Sequence, residues 1–269
     1  MRLNGKGIVI TGAAGLLGVQ HAEAVLEEGG RVLLLDSNQA KLDAVSQYLH
    51  SKNFDEFLIY KCDITIEQNV SESLGIFQEK FGLIHGLINN AAVNPKVEEG
   101  GKNFTRVEQL RFDTWQTELN VGLWGAFICS KLCGANMIKN NIFGSLVHVS
   151  SDHGLIAPNQ NLYHVSDLEE AQQPVKPITY SVVKHGIIGM SKYFATYWAQ
   201  NSIRSNVLCP GGVDNMQPQI FVDRFKELVP LKRMARPNEY KGAIKFLLSD
   251  ESSYMTGSTI VIDGGRSTW

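Results

Sequence analysis

The sequence predicts an α/β protein with one doubly wound layer of seven parallel strands and helices on both faces of the sheet. Short apolar runs alternate along the chain with longer amphipathic stretches, which is typical of a parallel sheet covered on both sides. A glycine-rich turn follows the first apolar run and opens the first amphipathic stretch. The 269 residues, 43% of them hydrophobic, contain no repeat or linker that would divide them, so we expect one domain over residues 1–269.

The apolar and amphipathic segments predict the elements in chain order. Strands are predicted at Gly7–Thr11, Arg31–Leu35, Phe57–Cys62, Leu83–Ile88, Ser145–Ser150, Arg204–Leu208 and Thr259–Ile262. Helices are predicted at Leu16–Glu28, Gln39–Ser51, Glu67–Phe81, Phe112–Ile138, Thr179–Gln200 and Pro237–Leu248. Two segments interrupt the alternation, at residues 94–107 and at about 155–177. Because long loops at the carboxyl ends of parallel strands usually shape a site, we expect both to frame a substrate entrance, with the 155–177 insertion over it.

Charge and composition weigh against several classes of function. Charged residues make up 19% of the chain, the formal net charge is −2, and Lys and Arg are scattered, so nothing favours binding to nucleic acid or to a membrane surface. The first residues run directly into a strand, and no segment has eighteen uninterrupted apolar residues. The four cysteines form no Cys-x-x-Cys pair and fit a reduced, cytoplasmic setting. The seven histidines are dispersed, and we expect no metal site.

The glycine-rich turn lies between the first predicted strand and the first predicted helix and reads Thr11-Gly12-Ala13-Ala14-Gly15-Leu16-Leu17-Gly18. Backbone N–H groups at a helix N-terminus bind a pyrophosphate, and glycine removes the side chain where a phosphate approaches. The residues expected to contact a dinucleotide are Gly12, Gly15, Leu16, Leu17 and Gly18. The alternative is a glycine-rich turn that serves only tight packing.

Asp36 ends the second predicted strand, eighteen residues after Gly18. A carboxylate at this place accepts hydrogen bonds from the adenosine ribose hydroxyls and repels a 2′-phosphate. No Arg or Lys lies in the glycine-rich turn or directly after Asp36. We therefore predict that NAD(H) is the preferred cofactor and NADP(H) the weaker one.

Further residues at strand ends are candidates for cofactor contact. Asp63 and Ile64 end the third strand, where the Asp63 carboxylate would accept from an adenine amino group, and a helix N-cap is the alternative role. Asn89 and Asn90, followed by Ala91, end the fourth strand. Small residues there allow close approach of a cofactor, and Asn amides tie neighbouring strands together. Of the two asparagines, we expect Asn89 to lie nearer the cofactor.

Tyr180-Ser181-Val182-Val183-Lys184 places a phenol and an ammonium about one helical turn apart. A cation near Tyr180 favours the phenolate, lowers its pKa from about 10 and makes it usable as a general acid or base. The spacing alone does not specify catalysis, because Tyr48-Leu49-His50-Ser51-Lys52 repeats it in the same chain. The alternative is a pair of residues on a helix surface.

Taken together, these motifs resemble the short-chain dehydrogenase/reductase family over nearly the whole chain. The matching motifs occur in the family's order: the glycine-rich turn, Asp63, Asn89 to Ala92, Asn120-Val121-Gly122, Ser150-Ser151-x-x-Gly154, Tyr180-x-x-x-Lys184, Pro210-Gly211, Thr256-Gly257 and Asp263-Gly264-Gly265. The resemblance implies a single-domain Rossmann fold, a nicotinamide cofactor and a small-molecule substrate.

The resemblance also implies roles for individual residues. Tyr180 would donate and accept the proton, and Lys184 would bind the nicotinamide ribose and lower the pKa of Tyr180. Ser151 would hydrogen-bond the substrate oxygen, with Ser150 as the alternative. Asn120 would hold a water beside Lys184 and extend a proton relay to solvent. Further cofactor contacts are implied for Pro210, Gly211 and the backbone of Val213.

The chain departs from the family pattern in three places, one of which is Asn215, where a threonine often contacts the nicotinamide carboxamide. Leu16 stands where many members have a glycine, and Ser151 and Tyr180 are twenty-nine residues apart, where about a dozen residues commonly separate them. The surplus is Asn159 to Pro177, which we interpret as a lid, with a surface elaboration or subunit contact as the alternative. Together with Met255-Thr256-Gly257 and the Gly265-to-Trp269 end, the insertion resembles a subset linked to bacterial surface-sugar and flagellin modification.

The resulting functional hypothesis is an NAD(H)-dependent oxidoreductase that acts on a secondary alcohol or its ketone, with a polar or sugar-like substrate. A second enzyme hypothesis is reduction of a 3-oxoacyl thioester. A hypothesis from another class is a catalytically silent NAD-binding sensor or scaffold. The two long apolar helices around residues 112–138 and 179–200 predict a homotetramer or homodimer, as in family members that pair them between subunits.

Overall fold

The seven strands of the structure lie parallel in one sheet. The computed structural model describes residues 1–94, 97 and 106–269. Its strands are β1 (Gly7–Thr11), β2 (Arg31–Asp36), β3 (Phe57–Lys61), β4 (Ile84–Asn89), β5 (Ser145–Val149), β6 (Arg204–Pro210) and β7 (Thr259–Ile262), in the order β3-β2-β1-β4-β5-β6-β7. The predicted doubly wound parallel sheet is confirmed.

Eight α-helices in the described part of the chain cover the sheet. They are α1 (Leu16–Leu26), α2 (Gln39–Ser51), α3 (Glu67–Phe81), α4 (Phe112–Leu119), α5 (Ala126–Lys139), α6 (Ile178–Tyr197), α7 (Gln219–Glu227) and α8 (Lys241–Leu248). A π-helical segment, Asn120–Gly125, joins α4 to α5, so the predicted helix 112–138 is interrupted in its middle. Helix α7 is not among the helices predicted from the sequence.

The alternation of side chains along the strands divides the core between the two faces of the sheet. On β1, Ile8 and Ile10 belong to the buried cluster that includes side chains of α1, α2 and α8. Val9 belongs to the cluster on the other face, with α3, α5 and α6. This period of two explains why the apolar runs of the sequence are nearly continuous, since a central parallel strand is buried on both faces.

The strand order changes direction between β1 and β4. From β1 the chain proceeds outward through β2 and β3, then returns to β4 on the other side of β1. In doubly wound sheets the crevice outside the carboxyl ends of the strands at such a point is the usual ligand site. The glycine-rich turn after β1 and Asn90, which follows β4, meet there.

The helical span Phe112–Lys139 is long and apolar enough to cross a membrane by length and composition. Half of its most apolar window is buried within the protein, and its α5 half packs on β4 and α3. We therefore assign it to the core of the domain. Most of the predicted loop 94–107 lies outside the described residues.

Candidate active site

A cavity of about 500 Å³ opens at the carboxyl ends of the strands. It runs from the glycine-rich turn to α6. The predicted site residues that line it are Gly12, Gly15, Leu16, Leu17, Asp36, Asn90, Ala91, Ser151, Tyr180, Lys184, Pro210, Gly211 and Val213. Five others do not line it: Gly18, Asp63, Ile64, Asn89 and Asn120.

The turn after β1 depends on its glycines. Gly12 has φ +60°, and a Cβ added there would lie 2.7 Å from the Ala91 Cα. Gly18 packs under the turn, because a Cβ there would lie 2.3 Å from the Gly12 carbonyl oxygen. Helix α1 begins after Gly15 with no side-chain cap and no acidic residue in its first turn. Its first N–H groups therefore face the cavity as an anion-binding end.

Asp36 lies where β2 ends and borders the cavity beside the glycine-rich turn. Its Oδ2 accepts from the Ala14 N–H at 3.1 Å, and its Oδ1 accepts from the Asn38 N–H at 3.0 Å. These bonds fix a carboxylate at the cavity wall. Lys41, in the first turn of α2, also lines the cavity, and the sequence analysis missed it because the helical turn rather than adjacency in sequence brings it there.

Of the two asparagines at the end of β4, Asn90 and not Asn89 lies at the cavity, which is the reverse of the expected order. Asn89 is buried away from the cavity, where its Nδ2 donates to the Ser130 Oγ at 2.8 Å and the Ala126 carbonyl at 3.2 Å. Asn90 lines the cavity and donates to the Gly12 carbonyl at 2.9 Å. The expectation that Asn89 lies nearer the cofactor site is therefore corrected, because successive residues at a strand end point to opposite faces.

Asp63 and Ile64 lie beyond the cavity wall. The exposed Asp63 carboxylate accepts from the Thr65 N–H at 2.9 Å and from the Thr65 hydroxyl at 2.7 Å. It thus closes a local turn, and the residue that precedes α3 is Ile66. Ile64 is buried against Gly125, where an added Cβ would lie 2.7 Å from its side chain. Neither residue reaches the space that the glycine-rich turn borders.

Tyr180 and Lys184 lie on the first turns of α6 and face the cavity together. The Lys184 Nζ is 5.6 Å from the centre of the Tyr180 ring and donates to the Val149 carbonyl at 2.9 Å. Desolvation raises the pKa of Tyr180 to about 12, although its hydrogen bond with Ser151 acts in the opposite direction. Desolvation lowers the pKa of Lys184 to about 8. Burial therefore outweighs the expected lowering of the Tyr180 pKa by the lysine charge.

Ser151 follows β5 and is held by its neighbours in sequence. Its hydroxyl donates to the Asp152 Oδ1 at 2.7 Å and accepts from the His153 N–H at 3.2 Å. The His153 ring meets Tyr180 edge to face at 5.9 Å, and desolvation lowers the pKa of His153 to about 4. Ser150, the alternative to Ser151, donates to the Lys184 carbonyl at 2.6 Å and so ties β5 to α6.

Asn120 is not brought to the other three residues of the proposed tetrad. It is exposed at the start of the π-helical segment and does not border the cavity. Gly122 and Leu123 are the residues of this segment that pack on α6, and a Cβ on Gly122 would lie 2.4 Å from Val183. The π-helical turn sets which side chains face α6, and a motif match cannot detect it.

The far end of the cavity is built by residues that the sequence analysis did not assign to the site. Tyr163 and Lys176 come from the insertion, Phe221 and Phe225 from α7, and Arg266 from the turn after β7. The Lys176 Nζ lies 4.1 Å from the centre of the Tyr180 ring. The four-residue spacing of the two phenylalanines is a sequence signal from which an inward-facing helix could have been predicted here.

The insertion is fastened to α7 and does not stand free of the domain. Arg224 of α7 donates to the His164 carbonyl at 2.5 Å, and Tyr163 packs on Phe221 with ring centres 5.6 Å apart. Within the insertion, Gln173 is buried and donates to the Val165 carbonyl at 2.8 Å. Two short 3₁₀ turns, Gln160–Tyr163 and Glu170–Gln172, complete it.

No metal-binding group of three or more His, Cys, Asp or Glu side chains lies within the described residues. The four cysteines are free and buried. Burial raises the pKa of Cys62 and Cys133 to about 12, which disfavours the thiolate that a metal or a nucleophilic role requires.

Comparisons with known proteins agree with this geometry. The family model for short chain dehydrogenases matches residues 6–221. Post-translational flagellin modification protein A of Campylobacter coli is 28% identical over 98% of both chains. The 3-oxoacyl-[acyl-carrier-protein] reductase FabG of Thermotoga maritima is 31% identical over 98% of this chain and 99% of its own. The crystal structure of NAD⁺-bound xylitol dehydrogenase is 27% identical, has a TM-score of 0.84, and the match covers 98% of this chain and 100% of that protein.

Proposed function

The chain belongs to the short-chain dehydrogenase family of nicotinamide-dependent oxidoreductases, and we propose that it is an NAD(H)-dependent enzyme acting on a secondary alcohol or its ketone. The observation that supports this most strongly is the shared cavity. Ser151, Tyr180 and Lys184 border the same space as the glycine-rich turn. A dinucleotide bound by that turn would reach a proton donor, a hydroxyl and an ammonium at the other end.

The residues around the glycine-rich turn fit a dinucleotide. Gly12 and Gly15 present bare backbone to the cavity, and the start of α1 adds unpaired N–H groups and the positive end of the helix dipole. Asp36 is an acceptor for ribose hydroxyls on the same wall. Pro210, Gly211 and Val213 border the cavity on the opposite side, where a nicotinamide ring would lie.

Asp36 supports a preference for NAD(H). The carboxylate accepts from two backbone N–H groups, which hold it in place. A 2′-phosphate placed against this carboxylate would be repelled. Lys41, which lines the cavity at this end, is a cation that would attract a 2′-phosphate, so the contrast between the two cofactors depends on Asp36 and Lys41 together.

The chemical roles follow from the side chains at the other end. When bound, the nicotinamide supplies or accepts a hydride. Tyr180 exchanges a proton with the substrate oxygen, and Ser151 hydrogen-bonds that oxygen. The Lys184 ammonium offsets the cost of forming a phenolate in a desolvated place, so most of the contribution is orientation and electrostatics.

We assign the substrate to the polar, hydroxyl-rich molecules of the sugar and polyol kind. His153, Lys176 and Gln217 supply hydrogen-bonding groups to the cavity, while Tyr163 and Phe221 close the apolar side. Xylitol is the substrate named for the related solved dehydrogenase. Reduction of a 3-oxoacyl thioester is the second candidate, and the 31% identity to the acyl-carrier-protein reductase supports it.

Two measurements test the proposal. Titration with NADH and with NADPH should give a saturable fluorescence change, tighter for NADH. A panel of xylitol, arabinitol, threitol and glucose is then tested with NAD⁺, and acetoacetyl-CoA is tested with NADH. The rate of NAD⁺ reduction with the panel should exceed the rate of NADH oxidation with acetoacetyl-CoA. No saturable binding of either dinucleotide would overturn the oxidoreductase proposal, and faster turnover of acetoacetyl-CoA would favour the second candidate.

A further inference from the structure

The residue after Ser151 forms a buried ion pair with the turn that follows β7. The Arg266 Nη1 lies 2.6 Å from the Asp152 Oδ2, and the two side chains are only 5% and 3% exposed. An ion pair at this depth carries a large desolvation penalty, and removing either partner leaves an uncompensated buried charge. A contribution to stability therefore does not by itself explain why this ion pair is buried here.

Each oxygen of Asp152 has a defined partner. Oδ2 accepts from Arg266, while Oδ1 accepts from the Ser151 hydroxyl at 2.7 Å and from the His153 N–H at 2.8 Å. Arg266 therefore restrains the carboxylate that in turn orients the Ser151 hydroxyl. Its guanidinium also packs over the Phe225 ring at 5.0 Å, which links this arrangement to α7.

The turn that presents Arg266 is itself rigid. Asp263 accepts from the Gly265 N–H at 2.9 Å with one oxygen and from the Ser267 N–H at 2.8 Å with the other. Gly265 has φ +89°, and a Cβ there would lie 2.9 Å from Pro230. The backbone thus fixes where the guanidinium enters the cavity wall.

We infer that Arg266 is a positioning residue of the active site, which acts through Asp152 to orient the Ser151 hydroxyl and to neutralise the carboxylate beside Tyr180. The inference rests on the proposed function, because it assigns Ser151 and Tyr180 to the reaction. Arg266 itself does not act on the substrate oxygen.

The charges around Tyr180 explain why Asp152 needs a partner. In the described residues the charged and titratable groups facing Tyr180 are Lys184 on its own helix, Lys176 from the insertion, and Asp152 and His153 after β5, with Arg266 behind Asp152. Asp152 is the one carboxylate among them, and its charge raises the pKa of Tyr180. Arg266 is the cation in direct contact with this carboxylate, so its removal would leave Asp152 without its ion-pair partner beside Tyr180.

The experiment compares Arg266→Met, Asp152→Asn and the double variant in the complete protein. The rate of NAD⁺ reduction with xylitol, or with the best polyol of the panel, is measured as a function of pH. Because alcohol oxidation needs Tyr180 as a base, the rising limb reports its pKa. Arg266→Met should move that limb to higher pH by about one unit, Asp152→Asn should move it to lower pH, and the double variant should lie between them.

Arg266→Lys keeps the charge and should retain a profile near that of the wild type. Arg31→Met is the matched control, because Arg31 forms an exposed ion pair with Glu56 at the amino end of β2. A uniform loss of rate with no change of pH profile in all three variants would overturn the inference and reduce the pair to a structural one. If Arg266→Met does not fold, the pH profiles of Asp152→Asn and Arg266→Lys are compared instead.

A second measurement does not depend on activity. The titration of His153, followed by NMR and assigned with His153→Gln, reports the same charges in the protein without cofactor. Asp152 raises the pKa of His153 and Arg266 lowers it, so Arg266→Met should raise this pKa and Asp152→Asn should lower it. Opposite shifts here with no turnover by the wild type would contradict the proposed function alone. Unchanged titration in both variants would contradict the inference alone.

Discussion

At the scale of single residues, Tyr180 is the centre of the account. Its hydroxyl bonds with Ser151, and its ring lies 5.6 Å from the Lys184 Nζ. Desolvation raises its pKa to about 12 and lowers that of Lys184 to about 8. Both shifts favour neutral side chains, so catalysis near neutral pH requires added interactions that favour the phenolate in the working complex.

Replacing Tyr180 by Phe removes the proton donor and leaves the shape of the cavity. We expect turnover to fall by about two decades or more, which is the usual scale for a positioned acid or base, while NADH affinity is retained. Steady-state rates and fluorescence titration measure the two quantities. Tyr48→Phe is a matched control, because Lys52 lies 5.6 Å from the Tyr48 ring but the pair is outside the cavity.

The Tyr48 and Lys52 pair also shows that a four-residue spacing of Tyr and Lys does not by itself specify a catalytic site. Tyr48 donates to the Glu23 carboxylate on α1 at 2.5 Å and lies on α2, away from the strand ends. If Tyr48→Phe lost as much turnover as Tyr180→Phe, the assignment of Tyr180 would be wrong.

The second prediction for a single residue concerns Asp36 and the preference for NADH over NADPH. Asp36→Ala removes charge-assisted hydrogen bonds to ribose hydroxyls and the repulsion of a 2′-phosphate, so the ratio of kcat/KM for NADH over NADPH should fall by about tenfold. Asp43→Ala on the exposed face of α2 serves as the control for loss of a carboxylate near the same helix. An unchanged ratio in Asp36→Ala would contradict the ribose role.

At the scale of elements, periodicity predicted most of the helices and strands. The bounds of α2 and α3 agree with the prediction at both ends, because each helix has one buried stripe and a polar remainder. Helix α7 was missed, since its nine residues are mostly polar and it buries chiefly Phe221 and Phe225. Its position over the cavity depends on tertiary contacts that a local pattern does not contain.

The π-helical segment is the second element that the sequence did not indicate. A uniform helix over 112–138 was predicted, and the family motif placed Asn120 in the site. The i-to-i+5 hydrogen bonding of Asn120–Gly125 changes which residues face α6. The motif therefore located the right helix but did not determine the direction of one side chain.

A prediction at the scale of elements concerns the glycine-rich turn and its affinity for NADH. Gly12→Ala forces a side chain into a left-handed backbone conformation and against Ala91, so NADH affinity should fall by at least about tenfold. Fluorescence titration measures it. Gly75→Ala on α3 is the matched control, because nothing lies within 4 Å of the added Cβ.

The control should retain NADH affinity and raise the free energy of unfolding by about 0.5–1 kcal/mol, since Ala is the better helix former. Urea titration of both variants separates stability from binding. Retention of wild-type affinity by Gly12→Ala would contradict the assignment of this turn to the pyrophosphate.

At the scale of the whole molecule, the architecture could be predicted from the sequence, because α/β alternation, crossover handedness and strand order constrain one another. The crevice between β1 and β4 follows from that topology, and with it the meeting of Gly12 with Asn90. The contacts of Arg266 with Asp152 and of Tyr163 with Phe221 join residues far apart in the chain. No local pattern encodes them.

The surface of α4, the π-helical segment and α6 supports the proposed oligomer. Phe112, Trp124, Tyr193 and Tyr197 are exposed large side chains on these helices. Aromatic side chains are enriched at subunit interfaces. We therefore expect sedimentation at micromolar concentration to give a dimer or tetramer, and Tyr193→Glu with Tyr197→Glu to give a smaller species. A wild-type monomer at that concentration would contradict the proposed assembly.

The central claim is that Tyr180, Ser151 and Lys184 converge with a nicotinamide on one reacting carbon. A crystal structure of the protein with NAD⁺ tests it most directly. The account predicts the pyrophosphate at the start of α1 and the nicotinamide ring beside the hydroxyls of Tyr180 and Ser151. A dinucleotide bound elsewhere, or those hydroxyls turned away from the ring, would contradict it.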